Sequence, residues 1–591
     1  MDKRVVITML AMMGFFMAVS YIYPLIFPSP PARTAATNAS EQRGPSLLTA
    51  AGQGPVAPLE TGAQAPSLPE GAEAAPPALP VAPPRMVSVD TPEYRAVFSE
   101  SGARLIHFEL KNYLAYRPTP DDPPRPQELV NPPADSGEFP LNFLFYNNQN
   151  EIEDLKDLRF AADADSVNVG AGGVGTLSFS ATTPAGLTIV KVLTFRAGTY
   201  AIGQVARLEN GGSVSYEGQL GLGLSSWPYG AQQNRYNAMT GYVNNSFISE
   251  TVDDAQSELA SLAVVTRAGY LGYMDQYFLS AFLFPDAGEA TAEWQEIGKV
   301  RLRGRELKGQ GVALSVFWPL NLPPGASRSY SFDVYYGPKD MDILREAGHD
   351  LVRSVDLGWF SFLGRPLGWL LRFFYGFVGN YGVAIILVTV LIKILLWPLT
   401  AKSYKSMKNM QKLSPKVQKI REKFKDAPQE MNKEMMALYK AEKVSPMGGC
   451  LPMLLQIPFF IAFYRVLDYA LELRGAPFML WIHDLSAPDR LFHFDVSVPL
   501  LSPPTGIPVL TLIMGATMLW QQRMTPAMGD PLQAKMMMLL PLVFIFFLLN
   551  MPSGLVLYWL VNNILSIFQQ KLINRAGGPP APPRAKAARA S

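Results

Sequence analysis

Residues 383–400 read VAIILVTVLIKILLWPLT, an apolar run with one lysine, Lys393, set inside it. An ammonium at the centre of a bilayer costs about 3 kcal/mol or more, so a lysine in such a run needs a reason. Its stem can snorkel to the head groups, or its head can face a wet interior. Lys393 lies about seven residues from the polar chain after Thr400, roughly 10 Å of helix, and both readings stand. Thr389, four residues earlier, shares its helix face.

The rest of the chain supplies the context. Of 591 residues, 48% are hydrophobic and 17% charged, which indicates a membrane protein with a sizeable soluble part. The net charge of +2 decides nothing. Cys450 is the one cysteine, so no intramolecular disulfide forms. The four histidines are scattered, and no stretch has metal-ligand spacing; no metal or cofactor is expected. No Ser/His/Asp set, HExxH or paired intramembrane carboxylates appear, so the sequence argues against an enzyme. It shows no matching pair of broken spans of the kind that marks inverted-repeat transporters.

Lys3 and Arg4 precede an uncharged run from Val5 to Phe27, longer than a signal-peptide core, and residues 1–27 are read as an uncleaved transmembrane signal anchor. Residues 28–85 hold 13 prolines with many Ala, Gly and Ser, a disordered linker. Between 86 and 348 the pattern turns to short alternating stretches such as LTIVKVLTF, YAIGQVARL, VALSVFW and YSFDVYY, separated by ENGGS and LPPGAS turns. That predicts an all-β domain, a sandwich. Residues 355–375, aromatic with Arg365 and Arg372 interspersed, predict an interfacial amphipathic helix. Further spans are placed at 377–399, 451–472, 506–523, 534–550 and 554–570, six with the anchor. Several are shorter than the ~20 residues a bilayer needs, which implies local thinning.

Loop charges set the orientation. Residues 401–450 carry 12 Lys+Arg against 5 acids, and the tail 571–591 carries 5 Lys+Arg and no acid. Both are read as cytoplasmic, with the N-terminus. The β domain is then outside, in a Gram-negative periplasm. Residues 401–449 are read as a helical hairpin with an apolar seam (Met407, Met410, Leu413, Val417; Met431, Met435, Leu438) and a cationic exterior: Lys402, Lys405, Lys408, Lys412, Lys416, Lys419, Arg421 and Lys423. Asp426 is the expected cap of its second helix. Anionic phospholipids and ribosomal RNA both suit that charge, as does water alone. Gln456, Thr517, Gln521, Tyr558, Asn562 and Asn563 add polar groups from other spans and suggest a wet cavity around Lys393. Arg465, Asp468 and Glu472, near the outer end of their span, are read as structural.

Several long stretches resemble the YidC membrane protein insertases of the YidC/Oxa/Alb family: ALYKAEKVSPMGGCLPMLLQIPFFIAFY (437–464), APFMLWIHDLSAPD (476–489), PSGLVLYW (552–559) and FVGNYGVAIILVTVLIKILLWPLT (377–400). GYLGYMDQYFLSAFLFP (269–285) and YYGPKDMDIL (335–344) resemble the periplasmic domain of that family. The resemblance implies an insertase and chaperone of the bacterial inner membrane, acting on nascent inner-membrane proteins alone or with the Sec translocon, with the ribosome and anionic phospholipids as further partners. It implies a five-span core over 377–570 with a hydrophilic groove open to the cytoplasm and to lipid. Lys393 falls at the groove's basic position, where many members have arginine; the charge is kept but the bidentate fork is lost. Thr389 falls at another groove position, Tyr558 and Trp559 at an aromatic pair along which substrates slide, and 401–449 at a mobile cytoplasmic loop. The β domain resembles a β-supersandwich related to sugar-binding folds.

Overall fold

The computed structural model describes residues 83–576 except 116–122, 134–135, 148–151, 230–235, 244–245, 252–263, 266–267, 285–299, 308–310, 425–426, 443–450, 495–500, 502–504 and 525–530. The anchor 1–27, the linker 28–85 up to residue 82, the tail beyond 576, the Asp426 cap and Cys450 lie outside the described residues. Everything described from Met86 onward belongs to one compact unit.

Alternation builds the first half. In Leu187–Arg196 every second residue is buried: Leu187, Ile189, Lys191, Leu193 and Phe195. That strand pairs antiparallel with Val174–Thr182 and with Ala201–Asn210, inside a nine-stranded sheet. A six-stranded sheet is centred on Tyr216–Ser226 and Gly311–Leu322, and a five-stranded sheet opens the domain. Their inner faces share one core rich in aromatics, among them Phe98, Phe108, Phe179, Trp318 and Tyr336. The four stretches read as strands from their alternation are strands.

The inward register also buries Lys191, which has no exposed surface. Its ammonium donates to the carbonyls of Ala103 at 2.7 Å and Leu141 at 2.6 Å, and lies over the Phe143 ring at 5.2 Å. One side chain thereby ties the strand to two loops whose carbonyls would otherwise be buried unpaired.

Among the described residues eight α-helices follow: α1 (Met341–Ala347), α2 (Ser361–Val378), α3 (Tyr381–Lys423), α4 (Pro428–Ala441), α5 (Leu451–Tyr469), α6 (Val509–Met524), α7 (Pro531–Leu548) and α8 (Ser553–Ala576). The corner between α2 and α3 is chemically specified. Gly379 takes a left-handed φ of 62°, which suits a residue without Cβ. Asn380 then caps α3: its side-chain oxygen accepts from the Val383 amide at 3.1 Å, and its Nδ2 donates to the Phe478 carbonyl at 3.0 Å. Residues 377–378, read from the sequence as the start of the next span, finish α2. The helix of the 451–472 span likewise ends at Tyr469, and Leu471–Leu473 form a separate 3-10 turn.

Helix α3 runs without interruption through 43 residues, from the apolar run into the basic segment. Ala427, with no side-chain cap, precedes Pro428 at the start of α4, where the proline's fixed φ suits the first helical turn. Among the described residues, Tyr381–Met410 is the one helical stretch that by length and composition is apolar enough to cross a membrane. Helix α8 is continuous, but its apolar sequence is broken by Asn562, Asn563, Ser566, Gln569 and Gln570.

Burial pushes the Lys191 ammonium from its ordinary 10.5 down to about 7. Between those two values the unfolded chain binds more protons than the folded one, so this residue makes stability rise as pH rises through that window. Thermal unfolding of the full chain at pH 7 and pH 9 is expected to show a steeper rise in the native protein than in Lys191→Met.

Candidate functional site

Helix α3 presents two adjoining stripes to the bundle. Ala384, Ile385, Val388, Ile392 and Leu396 pack into the apolar core. Beside them, Thr389 and Lys393 are 1% and 6% exposed. Thr389 donates back to the Ile385 carbonyl at 2.7 Å, satisfying its hydroxyl within its own helix.

The Lys393 ammonium points inward and donates to the Ser566 hydroxyl of α8 at 2.7 Å. Ser566 donates in turn to the Asn562 carbonyl at 2.7 Å, and the Asn562 amide donates to Gln456 of α5 at 3.4 Å. An ammonium has three donors. Among the described residues only one meets a protein acceptor, and no carboxylate lies within ion-pair distance. The chain thus holds a buried cation on a neutral hydroxyl, with donor capacity left over.

Below this point the seam continues on side chains that sequence reasoning passed over. Gln569 donates to Thr400 at 2.7 Å, and Gln570 donates to the Met524 carbonyl at 3.2 Å. Tyr404 interacts with both Ser566 and Gln521. The signal was present: Asn562, Ser566 and Gln569 recur at helical spacing on α8. The structure brings Lys393, Gln456, Asn562 and Gln521 to this seam. Thr517 instead donates to its own helix at the Met514 carbonyl, 2.6 Å away.

Tyr558 and Trp559 form the apolar end. Tyr558 is buried, with its ring 5.2 Å from Phe463. Trp559 lies 4.4 Å from Phe460 and 5.0 Å from Phe544. These two residues join α8 to α5 and α7 through aromatic packing.

On the far extension of α3, Met407, Met410 and Leu413 are buried. Lys402, Lys405, Lys412, Lys416, Lys419 and Lys423 are exposed, and Lys408 and Arg421 are half-buried. Lys416 pairs with Glu442 at 2.6 Å, linking the end of α4 to α3. At the other end of the bundle, buried Asp468 accepts from Tyr236, and the Gln276 amide donates to its carbonyl at 2.5 Å. Arg474 reaches Gln127 at 2.8 Å and stacks over Phe278. Asp468 and Arg474 therefore fasten the helical bundle to the β domain. Among the described residues no cluster of His, Cys, Asp and Glu is arranged to hold a metal.

A β-rich domain joined to a helical core, with the buried ammonium of Lys393 on a helix apolar enough to cross a membrane, defines a protein of two parts. Family models match both: a YidC periplasmic domain over residues 86–370 and a 60Kd inner membrane protein over 373–578. A membrane protein insertase YidC of Geobacter metallireducens is 38% identical over 98% of this chain and 99% of its own length. The Pelobacter propionicus insertase is 37% identical over 97% of this chain and 99% of its own. A crystal structure of an active YidC insertase matches 83% of this chain and 94% of its own at 16% identity, with a TM-score of 0.34. The chain belongs to the YidC membrane protein insertase family. Its members are inner membrane proteins with a periplasmic domain, and they are not enzymes.

Ser566→Ala removes the acceptor of the buried ammonium. It is expected to destabilise the protein by about 1–3 kcal/mol, seen as a lower unfolding midpoint in detergent, with Ser566→Thr close to the native protein.

Proposed function

We infer that this chain inserts newly made proteins into the inner membrane through a cationic groove between α3, α5 and α8. Lys393 carries this reading: a buried ammonium with one neutral partner, on a helix long and apolar enough to span. A charge held in this way is costly unless something else uses its free donors. An acidic or polar client tail supplies acceptors. The seam of Ser566, Asn562 and Gln456 provides hydrogen-bonding groups along the same path.

The physical task is to move a hydrophilic tail across ~30 Å of hydrocarbon. A polar groove partway in shortens the dry path, and Lys393 draws the tail to its inner end. The client's apolar segment then leaves sideways past Tyr558 and Trp559 into lipid. Hydrophobic partitioning supplies the drive, with the membrane potential acting on acidic tails. Thr389 and Gln521 complete the groove wall, and Thr517 lies one turn before Gln521 on α6.

In this reading the chain crosses the membrane six times, the anchor 1–27 included. Both termini are cytoplasmic and the β domain is periplasmic. The α3–α4 hairpin, with its exposed lysines, meets the ribosome and anionic phospholipids, and the core works alone or beside the Sec translocon.

A photo-crosslinker at Thr389, with ribosomes stalled on a short single-span client, tests the groove. A client adduct is expected. Insertion is expected to survive partly in Lys393→Ala and to be lost in Lys393→Glu. No adduct, with insertion unchanged in both variants, overturns the groove assignment.

A further inference from the structure

A second cationic feature lies at the opposite end of the bundle from the basic hairpin. Helices α1, α2 and the end of α5 enclose a cavity of about 270 Å³. Its floor is apolar, made by Gly364, Gly368, Leu371 and Val466. The cavity is also lined by buried Lys339 and, toward the surface, by Arg345, Arg365 and Arg372 with Asp340, Asp342 and Glu472.

The acids are already committed. The Asp340 carboxylate caps α1, accepting from the amides of Asp342 at 2.8 Å and Ile343 at 3.1 Å. Asp342 pairs with Arg345 at 2.6 Å, and Glu472 pairs with Arg372 at 3.5 Å. Lys339 is buried and donates to the Asp275 carbonyl at 3.0 Å. Arg365 remains: exposed, on the cavity rim, and without an ion pair or hydrogen bond among the described residues.

The surroundings of Arg365 point to the ligand. On α2 and just before it, Trp359, Phe362, Trp369, Phe373 and Phe377 are all exposed, and Trp369 stacks on Phe373 at 5.2 Å. An exposed aromatic face with interspersed arginines is the chemistry of a helix lying at a membrane surface. A cavity with an apolar floor and an unpaired guanidinium on its rim matches a phospholipid: phosphate on the guanidinium, glycerol and first acyl carbons on the floor.

We propose that this cavity binds the headgroup of one anionic phospholipid of the outer leaflet, with Arg365 as its phosphate ligand. The proposal rests on the outward placement of the β domain given above, and it adds a defined lipid site on the leaflet opposite the basic hairpin. A lipid bound there bridges α1, at the exit of the β domain, to α2 and α5.

Native mass spectrometry of the full-length protein tests it, with phosphatidylglycerol and phosphatidylethanolamine of matched acyl chains titrated separately. Lysines of the α3–α4 hairpin also attract anionic lipid, so the readout is the difference between native and variant proteins. Arg365→Gln is expected to lose one tightly held phosphatidylglycerol, with affinity for it falling about tenfold, the effect of one charge-assisted contact. Arg365→Lys is expected to keep most of it. Because Arg365 is exposed, the unfolding midpoints of all three proteins should coincide. Equal retention of phosphatidylglycerol in Arg365→Gln overturns the proposal, as does equal binding of phosphatidylethanolamine at this site. Displacement by soluble glycerophosphoglycerol at equal affinity also overturns it, by making the site one for a free phosphodiester. Insertion activity is not the readout, so a negative result leaves the insertase reading intact.

Discussion

The cost of burying an ammonium organises the helical half of this protein. Lys393 sits on a helix whose neighbouring stripe is wholly aliphatic, so its head has to find its acceptor across the bundle. The acceptor is Ser566, and Ser566 is itself anchored to the Asn562 carbonyl. That places a polar stripe on α8, which then cannot be as uniformly apolar as α3. Gln456, Thr400 and Gln569 extend the stripe to α5 and back to α3. These polar residues of α3, α5 and α8 are thus linked to one another.

Lys191 and Lys393, both buried, show two solutions to the same problem. Lys191 lies in the β core and gives two of its donors to backbone carbonyls, with an aromatic face nearby. It is a structural tie. Lys393 has one neutral partner and donors to spare. The two differ in how fully their donors are satisfied more than in burial itself.

The joints between the halves are equally local in origin. Gly379 and Asn380 turn α2 into α3 within two residues, one through its backbone freedom and the other through its cap. Asp468, read from the sequence as structural, takes partners from Tyr236 and Gln276, more than 190 positions away in the chain. Helix spacing alone offered Arg465 as a neighbour at i, i+3. The docked β domain supplies partners that no local pattern contains.

Much of the fold was legible in the chain. Period-two alternation marked the strands, and an apolar run with a basic sequel marked α3 and its charged extension. These are one-dimensional properties: side-chain direction follows from backbone period, and hydrocarbon rejects charge wherever it lies. The edges of elements were less legible, because Ala427 with Pro428, and Gly379 with Asn380, settle them by conformations of single residues. The partner of Lys393 was not legible at all. An isolated helix does not say which way the stem turns, and only the packing of α8 against α3, with Ser566 at hydrogen-bond distance, turns the ammonium inward.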